Sequence, residues 1–177
     1  QCTFAVTLTD NTPPSITCPG GQSGNYDADC EFTTPNYASL GSATDNCTGS
    51  PTITQSPAAG STQTANFNVT LTATDAAGNT DECTFGVTLT DNTPPSITCP
   101  GGQSGNYDAS CEFIVPNYTG LGSATDNCTG SPTITQSPAA GSTQTTNFNV
   151  TLTATDAAGN TDDCTFAVTL TDNTPPS

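Results

Sequence analysis

Aspartate and asparagine side chains recur in short clusters along the chain, and they are the residues best suited to chemistry. Their carboxylate and amide oxygens are the ligands that a hard cation such as Ca²⁺ takes, roughly six to eight at a time. The alternative is that they are turn residues, whose side chains bond nearby backbone amides. The candidate cation ligands are Asp10, Asn11, Asp45, Asp75 and Asn79, followed by Asp91, Asn92, Asp126, Asp156 and Asn160.

The chain lacks the side chains that most catalysis and nucleic-acid binding require. The 177-residue chain contains no Lys, Arg or His and has 16 acidic residues, a net charge of −16. Imidazole and amine bases are therefore absent. A surface without cations cannot neutralise phosphates, so we expect no nucleic-acid binding, and an anionic membrane surface would repel the chain. A glycosidase pair of carboxylates needs a substrate cleft, and aromatic residues are scarce at 6%. We expect a protein that is not an enzyme.

Cysteine content indicates the compartment. The chain has nine cysteines and only 32% hydrophobic residues, which is low for one large core. Small units that lack a large core are stabilised by disulfides, which persist in oxidising surroundings. No run of 18 or more apolar residues occurs, so we expect no membrane insertion. The sequence predicts an extracellular protein, secreted or at the cell surface.

A repeat organises the chain. The motif CTF begins at Cys2, Cys83 and Cys164, and residues 2–82 differ from residues 83–163 at eight of 81 aligned positions. Self-similarity at this period is the mark of tandem units. We assign residues 1–10 to the last strand of a preceding repeat, 11–91 to the first complete repeat, 92–172 to the second, and 173–177 to a linker into the next.

Each repeat has the pattern of short β-strands. In residues 67–74, Val69, Leu71 and Ala73 alternate with threonines. Residues 84–90 alternate in the same way, which is typical of strands with one buried face. Pro, Gly, Asn and Asp separate these runs, and no helical period is sustained. The sequence predicts an all-β fold of tandem immunoglobulin-like β-sandwich modules with an 81-residue repeat.

The expected topology places three acidic segments together. In an immunoglobulin-like sandwich, the chain enters at the end where the loop between the second and third strands and the last hairpin turn also lie. Asp10, Asp45 and the turn from Asp75 to Asn79 should therefore meet where the chain enters the first complete repeat. We predict Ca²⁺ at such inter-repeat junctions, where it would offset repulsion between carboxylates and stiffen the joint.

The combination of motifs resembles a known family. DNTPPSITCP, TDNC, TATDAAGNT and CTF followed by alternating Val, Thr and Leu occur in this order and are similar to the hyalin repeat (HYR) domain. This resemblance implies an immunoglobulin-like fold, an extracellular location, tandem arrays, and roles in adhesion or matrix without catalysis. DNTPP and DAAGNT also resemble elements of bacterial immunoglobulin-like adhesin stalks, some of which bind calcium between domains.

The resemblance also bears on the disulfides, for which four cysteines per repeat allow three pairings. Some hyalin repeats carry only one pair, which corresponds here to Cys18–Cys83 and Cys99–Cys164, and the first and last strands of such a sandwich are adjacent. By elimination, the second pair in each repeat would be Cys30–Cys47 and Cys111–Cys128. The topology sets Cys30 and Cys47 near opposite ends of the module, which only a bent strand would reconcile. Cys2 would pair within a preceding repeat.

Threonine rows and glycosylation sequons are further candidate features. Threonine is a favoured residue on exposed strand faces, so the rows need no further function. Alternatively they carry O-linked glycans, as Ser/Thr-rich extracellular chains often do. Asn-x-Thr sequons are acceptors for N-linked glycans. The candidate acceptors are Asn68, Asn117, Asn149, Thr70, Thr72 and Thr88.

Together these observations predict a structural role. Nearly identical units would present identical surfaces at regular intervals, and Pro-rich linkers limit bending. We therefore expect a component of an extracellular fibre or stalk, with further copies of itself as partner. The alternative is an adhesin whose repeats bind a glycan or protein ligand, with avidity multiplied across the repeats.

Overall fold

A computed structural model describes residues 1–174, and these form an all-β structure. The predicted linker at 173–177 lies largely outside the described residues. The chain divides into two compact units, Gln1–Thr90 (unit 1) and Asp91–Ser177 (unit 2). The strands of unit 1 are β1 Ser15–Thr17, β2 Gln22–Asn25, β3 Phe32–Thr33, β4 Ser42–Thr44, β5 Thr52–Ser56, β6 Thr62–Gln63, β7 Phe67–Thr74 and β8 Thr80–Thr90.

Unit 2 repeats this order. Its strands are β9 Ser96–Thr98, β10 Gln103–Asn106, β11 Phe113–Ile114, β12 Ser123–Thr125, β13 Thr133–Ser137, β14 Thr143–Gln144, β15 Phe148–Thr155 and β16 Thr161–Thr171. The sequence predicted no helix, and the structure adds one 3₁₀ turn to each unit, Ala38–Leu40 and Thr119–Leu121. Such short turns leave no periodic signal in a sequence.

Unit 1 is built from one four-stranded sheet and two short strand pairs. The sheet has the order β2-β8-β7-β5, while β1 pairs with β4 and β3 with β6. β2 runs parallel to β8, with Gln22 opposite Val87 and Asn25 opposite Thr90. β5, β7 and β8 are antiparallel neighbours. In unit 2 the corresponding order is β10-β16-β15-β13.

The core lies on one face of the long hairpin β7–β8. Val69 and Leu71 are fully buried, and their threonine neighbours face outward. Phe32 and Ile16, from the short strand pairs, pack against the same cluster, so the core lies between the two layers. Burial of each such aliphatic or aromatic side chain contributes about 1.5–3 kcal/mol. The predicted alternation is confirmed in both units, with Phe85, Val87 and Leu89 and their counterparts Phe166, Val168 and Leu170 buried.

The first residues of the chain differ in structure from the matching residues later in the chain. Residues 1–14 belong to no strand, and Phe4, Val6 and Leu8 are 86%, 72% and 92% exposed. The same residue pattern is buried in β8, where β2 and β7 flank it on either side. These apolar side chains of residues 1–14 have no core of their own, and the assignment of residues 1–10 to a preceding repeat stays a prediction.

One predicted disulfide is formed in each unit. Cys18 and Cys83 are bonded, with Cα atoms 5.7 Å apart, and Cys99 and Cys164 are bonded at 5.6 Å. Cys18 directly follows β1, and Cys83 lies within β8. Each bond therefore ties the start of the unit to its longest strand.

The second predicted pairing is wrong in both units. Cys47 and Cys111 are free thiols, so neither Cys30–Cys47 nor Cys111–Cys128 is formed. Cys30 follows β2, at the end of the unit where β8 finishes, because Tyr26 donates a backbone hydrogen bond to Thr90. Cys47 lies at the end where β8 begins, because Ala76 donates to the hydroxyl of Thr48.

The length of β8 explains this outcome. The strand has 11 residues, which at about 3.3 Å per residue separates its ends by roughly 30 Å. A disulfide requires Cα atoms within about 7 Å. The second strand of the sandwich does not bend back far enough to bring the two cysteines together.

Candidate cation site

Three aspartates meet at one end of unit 1. Asp10 precedes β1, Asp45 follows β4, and Asp75 opens the turn between β7 and β8. One carboxylate oxygen from each lies within 4.8 Å of those of the other two. The pairing of β1 with β4 and the β7–β8 hairpin deliver the three residues to this end of the unit. The structure thus brings together the acidic segments that the topology argument predicted.

The turn that carries Asp75 is built to hold its carboxylate. Asp75 Oδ1 accepts hydrogen bonds from the backbone N–H of Ala77 at 2.9 Å and of Asn79 at 2.8 Å. Gly78 has φ of +92°, a conformation that glycine adopts without steric cost. The sequence Asp-Ala-Ala-Gly-Asn therefore folds locally into a turn with its carboxylate turned inward, and Asp75 is only 6% exposed.

Asp45 is fixed by a second loop. Its Oδ2 accepts the backbone N–H of Cys47 at 2.8 Å and of Thr48 at 2.7 Å. The hydroxyl of Thr48 accepts the N–H of Ala76 at 3.0 Å, which ties this loop to the Asp75 turn. Thr48 is not among the predicted residues of the cation site, and its place directly after the TDNC motif is the only signal in the sequence.

Asn79 connects the turn to the segment that enters the unit. Its side-chain amide donates to Asp75 Oδ2 at 2.7 Å and to the main-chain carbonyl of Asp10 at 3.2 Å. The predicted role for Asn79 was that of a cation ligand. In the structure its amide N–H positions two residues that carry the candidate ligands, and the ligand role of Asn79 stays a prediction.

The three carboxylates have no internal counter-charge. The chain contains no Lys, Arg or His, so no side chain of its own can neutralise them. Oδ2 of Asp10 and Oδ1 of Asp45 are buried and receive no hydrogen bond. Burial acts to raise the pKa of Asp75, but the hydrogen bonds from the Asn79 side chain and the turn backbone outweigh it and hold this pKa below its usual value. Asp75 therefore stays ionised at neutral pH.

Unit 2 reproduces the site with its own residues. Oxygens of Asp91, Asp126 and Asp156 lie within 4.8 Å of one another, and Asp91 and Asp156 are 9% and 7% exposed. Oδ2 of Asp91 and Oδ1 of Asp126 are again buried without a hydrogen-bond donor. Asn160 donates to Asp156 at 2.8 Å and to the carbonyl of Asp91 at 3.1 Å, and hydrogen bonds lower the pKa of Asp156 against the effect of burial.

The geometry fits a calcium ion. Ca²⁺ binds oxygens at about 2.3–2.6 Å, so two ligands on opposite sides of one ion are about 5 Å apart at most. Three oxygens within 4.8 Å of one another satisfy this limit for each pair. Unpartnered buried carboxylate oxygens are costly, and a cation would satisfy them.

The remaining predicted ligands are more peripheral. Asn11 is exposed and lines, with Asp10, Asn46 and Cys47, an open groove of about 530 Å³. Asn92, its counterpart in unit 2, is also exposed.

The predicted glycan acceptors lie on the outer surface. Asn68, Asn117, Asn149 and Thr88 are exposed. Thr70 and Thr72 are half-buried, and their hydroxyls pair across the strands with Thr84 at 3.2 Å and Glu82 at 3.0 Å. The hydroxyls of these two threonines therefore already have a structural role in the sheet.

Residues 9–89 match the family model of the HYR domain. No curated protein sequence matches the chain. No helix in the described residues is both long and apolar enough to cross a membrane.

Solved structures similar to this chain are extracellular or immunoglobulin-like. The protocadherin GammaB4 extracellular domain matches at TM-score 0.48 and 18% identity, over 91% of this chain and 32% of that chain. A three-Ig-domain titin structure, an E-to-A mutated variant, matches at TM-score 0.47 and 7% identity, and the match covers 90% of this chain and 66% of that chain. The structure of Drosophila OTK extracellular domains 3–5 matches at TM-score 0.42 and 11% identity, and the match covers 89% of this chain and 62% of that chain. At these identities the likeness concerns the fold alone.

The chain spans only 32% to 52% of the first three solved chains it matches. The disulfides of both units and the family match point to an extracellular protein with adhesion-type domains. Residues 90–170 repeat residues 9–89 almost unchanged. Residues 9–89 are therefore similar to the HYR domain family, whose model they match.

Proposed function

We propose that the chain is a calcium-binding structural component of an extracellular fibre or stalk built from tandem HYR units. One observation carries the proposal: each unit holds three aspartate oxygens within 4.8 Å of one another, in a chain that has no Lys, Arg or His. Such a cluster needs a cation from solution, and extracellular calcium is the hard cation that prefers carboxylate oxygens.

The proposed role of the cation follows from which segments it would join. In unit 2 the ligands come from Asp91, at the start of the unit, from the loop at Asp126, and from the turn at Asp156. Asp91 directly follows Thr90, the last residue of β8. A bound ion would restrain the backbone that enters unit 2, and so reduce bending of the chain at this point.

The net charge of −16 supports a role in a polymer. Like charges keep identical units soluble and oppose their clumping. Calcium would neutralise part of this charge at one end of each unit. N-linked glycans at Asn68, Asn117 and Asn149 and O-linked glycans at Thr88 are proposed as additional surface modifications, because these side chains are exposed.

Small-angle X-ray scattering tests the proposed stiffening. The chain is measured in CaCl₂, in NaCl of matched ionic strength, and in excess chelator, together with the double variant Asp45→Asn/Asp126→Asn. We expect an extended, stiff particle for the wild type in calcium only, and a more flexible one in the other two buffers and for the variant. Identical scattering in all buffers would remove calcium from the mechanism.

The second candidate function is that of an adhesin whose units bind a glycan or a protein. The family match to an adhesion-type domain favours this candidate. Saturable binding to a glycan or protein array, with affinity that rises with the number of units, would support the adhesin. A purely structural stalk should give no saturable binding.

A further inference from the structure

A shallow hollow recurs on the outer face of the four-stranded sheet of each unit. In unit 1 its volume is about 390 Å³, and the residues that line it are Asn66, Phe67, Asn68, Gly86, Val87 and Thr88. In unit 2 the residues at the equivalent positions line a hollow of about 410 Å³. Both volumes fall within the range of about 300–1,000 Å³ that is usual for small-molecule sites. The hollow is therefore a feature of the repeated fold.

Missing side chains create the hollow in unit 1. Asn68 of β7 is paired with Gly86 of β8. On the other side of Gly86 lies Gly21, because a Cβ at Gly21 would be 3.7 Å from the carbonyl oxygen of Gly86. Two neighbouring positions across the sheet thus carry no side chain. The next outward pair along the hairpin, Thr70 and Thr84, has both side chains and bounds the hollow.

The same row is present in unit 2. Asn149 of β15 is paired with Ala167 of β16, and a Cβ at Gly102 would be 3.5 Å from the carbonyl oxygen of Ala167. Ala167 is the counterpart of Gly86. A methyl group at this position therefore leaves the hollow open.

The side chain of Asn68 lies over the hollow. Asn68 is exposed, and its Oδ1 is 3.6 Å from the place that a Cβ at Gly86 would take. The amide group therefore leans from β7 towards β8. Residues 68–70 form an Asn-x-Thr sequon, as residues 149–151 do. A sugar attached to Nδ2 of this asparagine would begin at the edge of the hollow.

The hollow is uncharged in a strongly acidic chain. None of its six lining residues is charged, although the chain has 16 acidic residues. Glu82, which faces outward on β8, lies opposite Thr72, roughly 13 Å along the sheet from Asn68 at about 3.3 Å per residue. Asn66 is held at the rim, because its Oδ1 accepts the N–H of Leu89 at 2.7 Å. A neutral ligand with many hydroxyl groups fits these surroundings.

Asn117 provides a contrasting sequon. Its Oδ1 accepts hydrogen bonds from the backbone N–H of Thr119 at 2.9 Å and from the hydroxyl of Thr119 at 2.8 Å. The side chain of Asn117 is therefore engaged with its own loop. A Cβ at Gly120, in the same loop, would meet open space. A glycan on Asn117 would project into solvent.

We propose that the first sugar of an N-linked glycan on Asn68 packs into the hollow over Gly86, and that a glycan on Asn149 packs in the same way over Ala167. The inference rests on the surface glycosylation proposed above, and calcium has no part in it. The hollow holds the start of the glycan against the sheet at the same place in each unit.

Attachment of the glycan is a group transfer from a donor of the secretory pathway. Nδ2 of Asn68 attacks the anomeric carbon of an oligosaccharide that is linked to a lipid diphosphate. The C–N bond forms as the C–O bond to the diphosphate breaks, and the lipid diphosphate leaves with the electron pair. A base of the transferase takes the proton from Nδ2. The chain supplies the acceptor and the hollow that receives the sugar.

Enzymatic release of the glycans from the folded chain tests the proposal. The full chain is secreted from a eukaryotic host and treated with a peptide N-glycosidase in H₂¹⁸O, which converts each released asparagine to ¹⁸O-labelled aspartate. Because the chain has no Lys or Arg, peptides are produced with pepsin, and mass spectrometry gives the release rate at each site. Each rate is divided by the rate at the same site in the reduced, denatured chain.

We expect slower release at Asn68 and Asn149 than at Asn117. The expected difference is about tenfold, a factor that corresponds to about one or two net hydrogen bonds between the sugar and the hollow. The rates are measured in chelator and in CaCl₂ of matched ionic strength, and we expect the same values in both.

Filling the hollow is the matched perturbation. Gly86→Val adds a side chain that strands favour, and it should abolish the slow release at Asn68 while Asn149 stays slow. Gly86→Ala reproduces the residue of unit 2 and should keep the slow release. Ala167→Val should act on Asn149 alone. If Gly86→Val is not secreted, the comparison of Asn68 with Asn117 in the wild type decides, and if the host leaves Asn117 unmodified, the valine variants decide.

The outcomes separate this inference from the proposed function. Equal normalised rates at the three sites, or slow release that both valine variants leave unchanged, would overturn the packing and leave the glycosylation standing. Absence of glycan from both Asn68 and Asn149 would overturn the packing together with the N-linked glycans proposed at these sites. The calcium-binding stalk is tested by scattering on the chain in calcium and in chelator, so it stands or falls separately.

Discussion

The side-chain amide of Asn79 donates a hydrogen bond to the main-chain carbonyl of Asp10, 69 residues earlier in the chain and 3.2 Å away. Asn160 makes the same contact to Asp91 at 3.1 Å. One asparagine in each unit therefore holds the entering segment against the β7–β8 or β15–β16 turn. The acidic cluster depends on this contact, because it positions the aspartate that arrives from the start of the unit.

Replacing this asparagine should destabilise the unit. Asn79→Ala removes the contact to Asp10, and a net hydrogen bond contributes about 1 kcal/mol. We expect a lower denaturant midpoint for Asn79→Ala and for Asn160→Ala, measured by chemical unfolding. Asn68→Ala, an exposed asparagine in β7, is the control and should stay within about 0.5 kcal/mol of wild type. Equal effects at positions 68 and 79 would contradict this account.

Acid should weaken the fold through Asp75 and Asp156. Both have a pKa below the usual value in the folded state, while the unfolded chain keeps an aspartate pKa of about 3.9. Between these two values the unfolded state binds more protons, so stability rises with pH in that window. We expect the contribution of these groups to be complete above about pH 4 and lost as pH falls through the folded pKa.

Thermal unfolding from pH 7 to pH 2 measures this dependence. The Asn79→Ala/Asn160→Ala variant loses the side-chain hydrogen bonds that lower the two pKa values. Its stability should therefore change less with pH in the acid window than that of the wild type. A steeper dependence in the variant would show that other carboxylates control acid unfolding.

The core of each unit should be sensitive to truncation at the long hairpin. Leu71 is fully buried between the layers, and Leu→Ala at such sites costs about 2–5 kcal/mol. Leu152→Ala should do the same to unit 2. Leu40→Ala, at a side chain that is 52% exposed, is the matched control with a small expected effect. Denaturant unfolding measures all three, and an equal loss at Leu40 would contradict the assigned core.

The disulfide of each unit should contribute strongly to stability. Cys18 and Cys83 are 65 residues apart, and closing a loop of that length is worth about 4 kcal/mol in the chain-entropy model. Cys18→Ser/Cys83→Ser should lower the unfolding free energy of unit 1 by roughly that amount in chemical denaturation. Cys47→Ser, at a free exposed thiol, is the control. A double variant as stable as this control would contradict the assigned contribution.

The sequence predicted much of the fold because its signals are local. Alternation in residues 67–74 and 84–90 specified which side chains face the core, and Val69, Leu71 and Phe85 are buried as expected. The meeting of Asp10, Asp45 and Asp75 followed from fold topology alone. Each of these inferences needed only strand periodicity and the order of the loops.

The features that the sequence did not predict depend on three-dimensional detail. The pairing of Cys30 with Cys47 failed because elimination takes no account of the length of β8. Cys30 has φ of +57°, a conformation that non-glycine residues seldom adopt and that no sequence pattern predicted. The donor role of Asn79 depends on the direction of one amide group, which ligand chemistry alone cannot decide.

Calcium binding itself is the central claim, and equilibrium dialysis with radioactive calcium measures it most directly. The wild-type chain is compared with Asp45→Asn, with Asp45→Asn/Asp126→Asn, and with Asp29→Asn, which removes the same charge from an exposed turn outside the clusters. Affinities of extracellular calcium modules are about 10⁻⁴–10⁻³ M, so the titration extends beyond that range. We predict two ions per chain for wild type and Asp29→Asn, one for the single cluster variant and none for the double variant. Equal binding by all four chains, or no saturable binding by the wild type, would contradict the account.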